Sequence, residues 1–278
     1  MLAALKEATG SQLLAIASRD RRRAAVLAGR HGVPRVHAGY ADVLADPDVD
    51  AVYLPLPNSL HLPWALRALA AGKHVLCEKP LAVNATEAEE MVEAARAAGR
   101  LLMEAVMYRF HPRMRELVES LGGAEVRHLY ASFGFPMADS GSYRLRPELG
   151  GGAVLDVGCY VADVSRWLLG QPESVEAVIH RKVVDLSCTA LLGYGDGAQA
   201  SLYASFEAPE YQELVVVCAD RVARLDKPFT SWRDPHDPYR LMVDAFVEAV
   251  RAGAPAPLPP EGSIANLRLL DRIRDAAG

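Results

Sequence analysis

Three residue types placed far apart in this 278-residue chain could together move a proton. They are Lys79, in the run Glu78-Lys79-Pro80, and, well downstream, Asp156 and Tyr160. Interconverting an alcohol and a carbonyl needs a group that takes or gives the hydroxyl proton while hydride moves elsewhere. A lysine can serve as the base if its pKa falls, and a tyrosine if a nearby cation lowers its own. Asp156 and Tyr160 are spaced i, i+4 near the predicted start of one helix, so they share a face of it. If that helix end faces Lys79, the three form a compact acid–base group.

The elements that must position them are readable from hydrophobic patterning. The first hundred residues alternate short apolar strands with helical stretches, the mark of a parallel α/β unit. We expect a helix over Met1–Thr9, a buried strand over Leu13–Ala17, and a helix over Arg19–His31 stopped by Gly32. A strand over Val49–Leu54 precedes a helix capped by Asn58 or Ser59, with Leu62, Ala65, Leu66 and Leu69 on one face. Then come a strand over His74–Cys77, a helix opened by a Thr86/Glu89 capping box and ended near Gly99, and a strand over Leu101–Val106. Open parallel sheets bind ligands beyond the carboxyl ends of their strands. That places Ser18-Arg19, Pro57-Asn58, Glu78-Lys79-Pro80 and Tyr108-Arg109 where a ligand would sit.

After about residue 122 the pattern changes. A strand over Leu129–Phe135 leads through a loop rich in Gly, Ser and Pro to Gly150-Gly151-Gly152, and a helix follows over Ala153–Leu169. Strands are expected over Val175–His180, Leu186–Tyr194, Ala198–Phe206 and Leu214–Cys218, with Asp196-Gly197 as a hairpin turn. In the third of these, Ala198, Ala200, Leu202, Ala204 and Phe206 alternate with Gln199, Ser201, Tyr203, Ser205 and Glu207, a period of two that gives a sheet one buried face. Helices over Tyr239–Arg251 and Ser263–Arg274 close the chain. The reading is a Rossmann-like doubly wound domain over 1–106 and an α+β domain with a mostly antiparallel open sheet over 107–278, the last helix packing back on the first domain.

Glu78-Lys79-Pro80 after a strand, with Gly150-Gly151-Gly152-Ala-Val-Leu-Asp156-Val-Gly158-Cys-Tyr160 far downstream, resembles the Gfo/Idh/MocA family of NAD(P)-dependent oxidoreductases. Tyr160, together with Met107-Tyr108-Arg109-Phe110-His111-Pro112, resembles the branch of dihydrodiol dehydrogenases, NADP-linked xylose dehydrogenases and glucose–fructose oxidoreductases. The resemblance implies a hydride transfer between NADP or NAD and a carbinol carbon of a sugar, polyol or cyclic diol. It implies that Lys79 and Tyr160 hold the reacting oxygen and pass its proton, while Asp156 orients the substrate or the lysine. Lys79 and Pro80 would also line the cofactor, Glu78 would line it or pair only locally, Asn58 and His61 would lie on its ribose–phosphate and nicotinamide side, and Arg109 near the nicotinamide or substrate. Tyr143 and Arg144 precede the glycine triplet on a loop that could close over substrate or form only its rim. Ser18 and Arg19 end the second strand of the unit, where a hydroxyl and a guanidinium suit a 2′-phosphate and an acid suits a free ribose; Asp20 follows, so NADP and NAD both remain open.

A dinucleotide unit begins with a strand, a G-x-G-x-x-G turn and a helix whose amino end holds the pyrophosphate. This chain begins inside that helix, without the strand and turn. Three readings follow: a start assigned downstream of the true one, a real truncation, or a non-catalytic relative that binds a sugar or a partner. Losing that strand would leave two inner strand edges unpaired.

Composition excludes other classes. Thirty Lys+Arg against thirty-five Asp+Glu leave a net charge of −5, poor for nucleic acid or a membrane surface. No apolar run spans a bilayer and no signal peptide opens the chain. The four cysteines (Cys77, Cys159, Cys188, Cys218) lack metal-ligand spacing and read as reduced core thiols of a cytoplasmic protein, and no metal is expected. Gly193-Tyr-Gly195-Asp-Gly197 is flanked by strands and reads as a hairpin, and Arg21-Arg22-Arg23 as a solvated helix face. The open face of the second sheet suggests a homo-oligomer, dimer or tetramer.

Overall fold

In the computed structural model, which describes residues 1–138, 141–230 and 235–278, a short helix α1 (Leu2–Glu7) leads into β1 (Ala15–Ile16). Helix α2 (Arg21–His31) crosses to β2 (Arg35–Val36), which pairs with β1 in parallel. Asp20 caps α2, its carboxylate accepting from the Arg22 and Arg23 N–H groups, and Gly32 ends it at φ +69°. After α3 (Tyr40–Ala45), the strands β3 (Ala51–Leu54), β4 (His74–Cys77) and β5 (Leu102–Glu104) form a second parallel sheet in that order, with α4 (His61–Ala70) and α5 (Ala85–Ala98) as crossovers.

The single open sheet expected here is thus two ladders, with β1 and β3 unpaired to each other. β1 keeps two half-buried residues of the buried strand expected over Leu13–Ala17. A strand with a neighbour on one side only has half its backbone groups in a ladder and less cover on its faces. Side chains span the break instead. Asp46, just after α3, accepts from Arg35 at 2.9 Å and lies 3.0 Å from His37 Nε2, while its carbonyl accepts from Lys73 Nζ at 2.9 Å.

Two helix starts differ from expectation. Asn84 caps α5 by accepting from the Glu87 N–H, so the Thr86/Glu89 box is not the cap. Asn58 opens a 3₁₀ turn (Asn58–Leu60) that leaves Leu60 at the start of α4, so it does not cap that helix, and its Nδ2 donates to the Gly150 carbonyl. β2 and α3 were too short to stand out in the sequence.

Helix α6 (Pro112–Ser120) leads to β6 (Val126–Gly134) and a loop of which residues 139 and 140 lie outside those described. The helix expected over Ala153–Leu169 opens as a π-helical turn (Val154–Gly158) and continues as α7 (Cys159–Leu169). β7 (Ser174–Arg181), β8 (Asp185–Gly193), β9 (Gln199–Ser205), β10 (Tyr211–Cys218) and β11 (Val222–Asp226) complete a six-stranded sheet in the order β11-β10-β6-β9-β8-β7. Only β6 and β9 pair in parallel, so the sheet is mostly antiparallel. Ala198, Ala200, Leu202, Ala204 and Phe206 are buried as the alternation predicts. Ser205, expected on the outer face, is buried because its hydroxyl accepts from the Glu207 and Ala208 N–H groups where the strand turns away. Outward, Val178, Leu191 and Val222 are exposed.

The chain ends in α8 (Pro238–Ala252) and α9 (Pro260–Ala276). α9 lies against α5, joined by Arg268–Glu89 at 2.6 Å, Arg96–Glu261 at 2.7 Å and the Ala85 N–H donating to Asp271 at 2.9 Å. One apolar cluster runs from Val75 and Leu76 through Val157 and Val161 to Leu202 and Leu214. The four cysteines are buried and free, and no helix among the described residues is long and apolar enough to cross a membrane.

Candidate active site

β4 is buried on both faces, so the first residues able to meet a ligand are those just past Cys77. There the chain makes the turn Glu78-Lys79-Pro80, with a cis Lys79–Pro80 bond. Tyr53, on β3, donates its hydroxyl to Glu78, and the other Glu78 oxygen accepts from the Lys79 N–H at 3.2 Å. Glu78 therefore shapes the turn.

Lys79 Nζ crosses to the π-helical turn that precedes α7. It donates to Asp156 Oδ1 at 2.9 Å and to the Asp156 carbonyl at 2.7 Å, and stands 5.0 Å from the centroid of the Tyr160 ring. The sequence expectation that these three groups gather at one point matches this geometry. Its detail differs, since the lysine meets the face of the Tyr160 ring. π-Turns recur at functional sites because they redirect backbone and side chain within a helix, and here both the carboxylate and the carbonyl of one residue reach the same ammonium.

The loop before the glycine triplet supplies the second cation. Arg144 Nε donates to Asp156 Oδ2 at 2.8 Å and its guanidinium stacks over Tyr143 at 5.0 Å. Asp156 is thus clamped between Lys79 on one oxygen and Arg144 on the other. The triplet makes this approach possible. A Cβ on Gly151 would lie 2.5 Å from the Arg144 carbonyl oxygen, and one on Gly150 would lie 2.9 Å from the Asn58 Cβ.

The electrostatics follow from burial and pairing. Burial is the largest influence and opposes the Lys79 charge, but Asp156 together with Tyr160, Cys159 and Glu78 outweighs it and holds the pKa well above that of an ordinary lysine. Burial likewise opposes ionised Asp156, and Lys79 and Arg144 together hold it below the usual carboxylate range. Burial raises Tyr160 well above an ordinary tyrosine, with Lys79 pulling only partly the other way. The sequence reasoning required a lysine or tyrosine whose pKa falls; in this arrangement both are raised. Lys79 is a cation and an acid here, and a base only once it has given its proton away.

The other expected residues occupy distinct places. Asn58 is buried and donates through Nδ2 to the Gly150 carbonyl at 2.8 Å, tying the β3 side to the glycine triplet. His61, expected on the ribose–phosphate and nicotinamide side of the cofactor, is fully buried, with Nδ1 2.9 Å from the Pro80 carbonyl and Nε2 2.9 Å from the Leu56 carbonyl. Burial lowers its pKa, and it braces the turn that carries Lys79. Arg109 pairs with Asp163 at 3.1 Å and lies 3.9 Å over the Trp167 ring, where Tyr108 also donates to Asp163 at 2.5 Å. Ser18 is half-buried and Arg19 exposed at the end of β1, while Asp20 is engaged as the α2 cap.

Sequence reasoning missed Tyr53, Glu104, Asp163 and Asn266. Glu104 had a visible signal, an acid inside the apolar run Leu101-Leu-Met-Glu-Ala-Val106 at the carboxyl end of a parallel strand. Asn266 and Asp163 had none, since a polar residue on a helix is ordinarily solvated. Among the described residues no group of His, Cys, Asp and Glu is arranged to hold a metal.

Comparison with known proteins places this geometry. Residues 1–106 match the model of an oxidoreductase family with an NAD-binding Rossmann fold, and residues 111–224 match the GFO/IDH/MocA C-terminal domain. The chain is 38% identical to D-xylose 1-dehydrogenase (NADP(+)) 2 of Haloferax volcanii, over 98% of this chain and 91% of the relative. It superposes with TM-score 0.87 and 31% identity on a 3-ketoreductase from Actinomadura kijaniata solved with NADP and TDP-benzene, covering 99% of this chain and 92% of the other. An aldose-aldose oxidoreductase from Caulobacter crescentus, solved with glycerol, gives TM-score 0.92 at 26% identity with the same coverages.

Proposed function

Because the chain belongs to the Gfo/Idh/MocA family of NAD(P)-binding oxidoreductases, we propose that it transfers hydride between NADP and a CH–OH carbon of a sugar, polyol or cyclic diol, with Lys79 as the proton-transfer group. The observation that carries this reading is the ammonium of Lys79, held by two oxygens of Asp156 beside Tyr160 at the carboxyl end of a parallel sheet. Relatives that are sugar and diol dehydrogenases and ketoreductases support it over the non-catalytic alternative.

The residues present suit the two ends of a dinucleotide. At one end Asp20 is spent on the cap of α2, which removes the acid that would favour a free ribose and leaves Ser18 and Arg19 to a 2′-phosphate. At the other end Lys79 and Tyr160 line the place where a carbonyl would meet the nicotinamide. When bound, the nicotinamide supplies or accepts the hydride.

The protein's own part is to hold and move one proton. In the reducing direction the Lys79 ammonium donates to the carbonyl oxygen, and its charge stabilises the negative charge that grows there. Asp156 keeps the ammonium charged and aimed. Arg144 neutralises the far oxygen of Asp156, so the carboxylate does not itself compete for the transferred proton. Tyr160 offers its hydroxyl at the same oxygen, and being neutral it acts as a hydrogen-bond donor. Tyr143 and Arg144 form the substrate-facing rim. Because Lys79 is held as a cation, the arrangement favours reduction of a carbonyl near neutral pH, and oxidation strengthens as pH rises.

The exposed outer face of the six-stranded sheet, with Val178, Leu191, Tyr203 and Val222, supports a homodimer or tetramer. Buried free thiols support a reducing, cytoplasmic location. The test is steady-state turnover of NADP and NADPH with a panel of aldoses, polyols, cyclic diols and keto sugars, alongside calorimetric titration of NADPH. Absence of turnover with every class, and of cofactor binding, overturns the reading.

A further inference from the structure

Beside Lys79 lies a cavity large enough for one water molecule, lined by Lys79, Glu104, Val106, Cys159, Tyr160 and Asn266. Two of these residues have no place in the chemistry so far. Glu104 ends β5 in register with Cys77, so strand pairing sets its carboxyl beside the turn that carries Lys79. It is 5% exposed, one oxygen accepting from the Leu81 N–H at 2.9 Å. Asn266, on α9, is 4% exposed and donates through Nδ2 to the Cys159 carbonyl at 3.0 Å. Its Oδ1 is buried without a hydrogen-bond partner. An amide oxygen withdrawn from water calls for a donor, and a water in the cavity is placed to be one.

We propose that Asn266 and Glu104 hold a water against Lys79, and that Glu104 is a positioning residue that returns a proton to Lys79 through that water after the lysine has protonated the substrate oxygen. The inference rests on the reading of Lys79 as the proton donor. The step balances. The neutral Lys79 amine takes a proton from the water, an N–H bond forming as an O–H bond breaks. The water takes the Glu104 carboxyl proton, leaving a carboxylate, an ammonium and the water unchanged. No oxidant or co-reactant is needed.

The surroundings of Glu104 suit a group that can give and regain a proton. On its own sheet Cys77 and Lys79 face it, on α7 Cys159, Asp163 and Arg166, and on α9 the Ser263 hydroxyl. Burial first, and then Asp163, favour the neutral acid, while Ser263, the Leu81 N–H and Lys79 favour the anion. The balance pushes its pKa up to about 7, so both forms are present near neutral pH.

The experiment compares the wild-type protein, Glu104→Gln, Asn266→Leu and Lys79→Met. Carbon-13 NMR of glutamate-labelled protein follows the Glu104 carboxyl, and kcat and KM are recorded against pH. We expect a Glu104 titration near pH 7 and a matching limb in kcat. Glu104→Gln abolishes that limb and lowers kcat by about tenfold to a hundredfold at unchanged KM. Asn266→Leu, which fills the cavity, lowers kcat similarly while the Glu104 carboxyl still titrates. A Glu104 titration at the ordinary carboxyl value overturns the inference whether or not the variants fold, and so does a kcat profile unaltered in Glu104→Gln. If Lys79→Met is inactive while Glu104→Gln is unaltered, the relay alone falls. If Lys79→Met keeps full activity, the reading of Lys79 falls with it.

Discussion

The two sheets of this protein are built to different standards. The mixed sheet is a continuous ladder of six strands, with Leu129, Ala131, Ala200, Leu202 and Leu214 buried on its inner face. The parallel layer is broken into a pair and a triplet, and its β1–β2 pair is half-buried and two residues deep. Lys79 and Asp156 both belong to the well-buried part, on the β3–β4–β5 triplet and on the helix that packs against β6 and β9. Ser18 and Arg19 belong to the weak pair. The group proposed to move the proton is fixed by the core, while the pair proposed to choose the cofactor stands on the least supported strand.

Substitutions can break or sharpen that contrast. The largest effect is expected at Lys79. Lys79→Met should lower kcat by roughly 10²–10⁴ with a native circular dichroism spectrum, and it should lower the urea midpoint as well, because Arg144 keeps only Oδ2 of Asp156 while Oδ1 and the Asp156 carbonyl lose their buried donor. Next in size, Leu129→Ala in β6 should cost about 2–5 kcal/mol in urea unfolding. Ile16→Ala in β1 should cost less than about 1.5 kcal/mol, since a half-buried side chain on a two-residue strand loses little area. Equal costs would mean that the β1–β2 pair is as well supported as the mixed sheet.

A third test uses pH. The Glu104 carboxyl is raised by burial from its ordinary value to about 7. A carboxyl raised in the folded state contributes stability that is fully present below the unfolded value and is lost as pH rises through the folded one. The Glu104 contribution to stability should therefore fall between about pH 4.5 and 7, by up to about 3 kcal/mol at 1.36 kcal/mol per pH unit, and it is read as the difference between wild type and Glu104→Gln because His61, whose pKa burial lowers, contributes with the opposite slope. Glu104→Gln should remove that slope, measured as urea midpoints across the range. The smallest effect is expected at the exposed end: Arg19→Ala should lower kcat/KM for NADPH by about tenfold and leave that for NADH nearly unaltered.

Much of this architecture was legible in advance. β4 was found over its full length, because the apolar run Val75-Leu76-Cys77 between Gly72 and Glu78-Lys79-Pro80 has one reading in a parallel sheet. The buried face of β9 followed from strict alternation. β1 shrank because its burial depended on a neighbouring strand, which local pattern cannot supply. The Thr86/Glu89 box lost to Asn84, a competition between adjacent polar residues that only backbone geometry decides. In the site, the meeting of Lys79, Asp156 and Tyr160 was foreseen from residue type and order. What sequence could not give was the sign of the Lys79 shift, which depends on how close the Asp156 oxygens come. The burial of His61 between two carbonyls was not legible, because in sequence it looks like any polar helix residue.

The glycine triplet has a consequence for how such a protein can change. At Gly150 and Gly151 the main chain passes so close to its neighbours that a methyl added at the first would collide with Asn58 and one added at the second with Arg144. Backbone position here is therefore a shared dimension, common to the turn carrying Asn58, the loop carrying Arg144 and the helix carrying Asp156. On the proposed reading, a change of substrate would run through side chains at the rim, such as Tyr143, and leave the backbone beneath them in place.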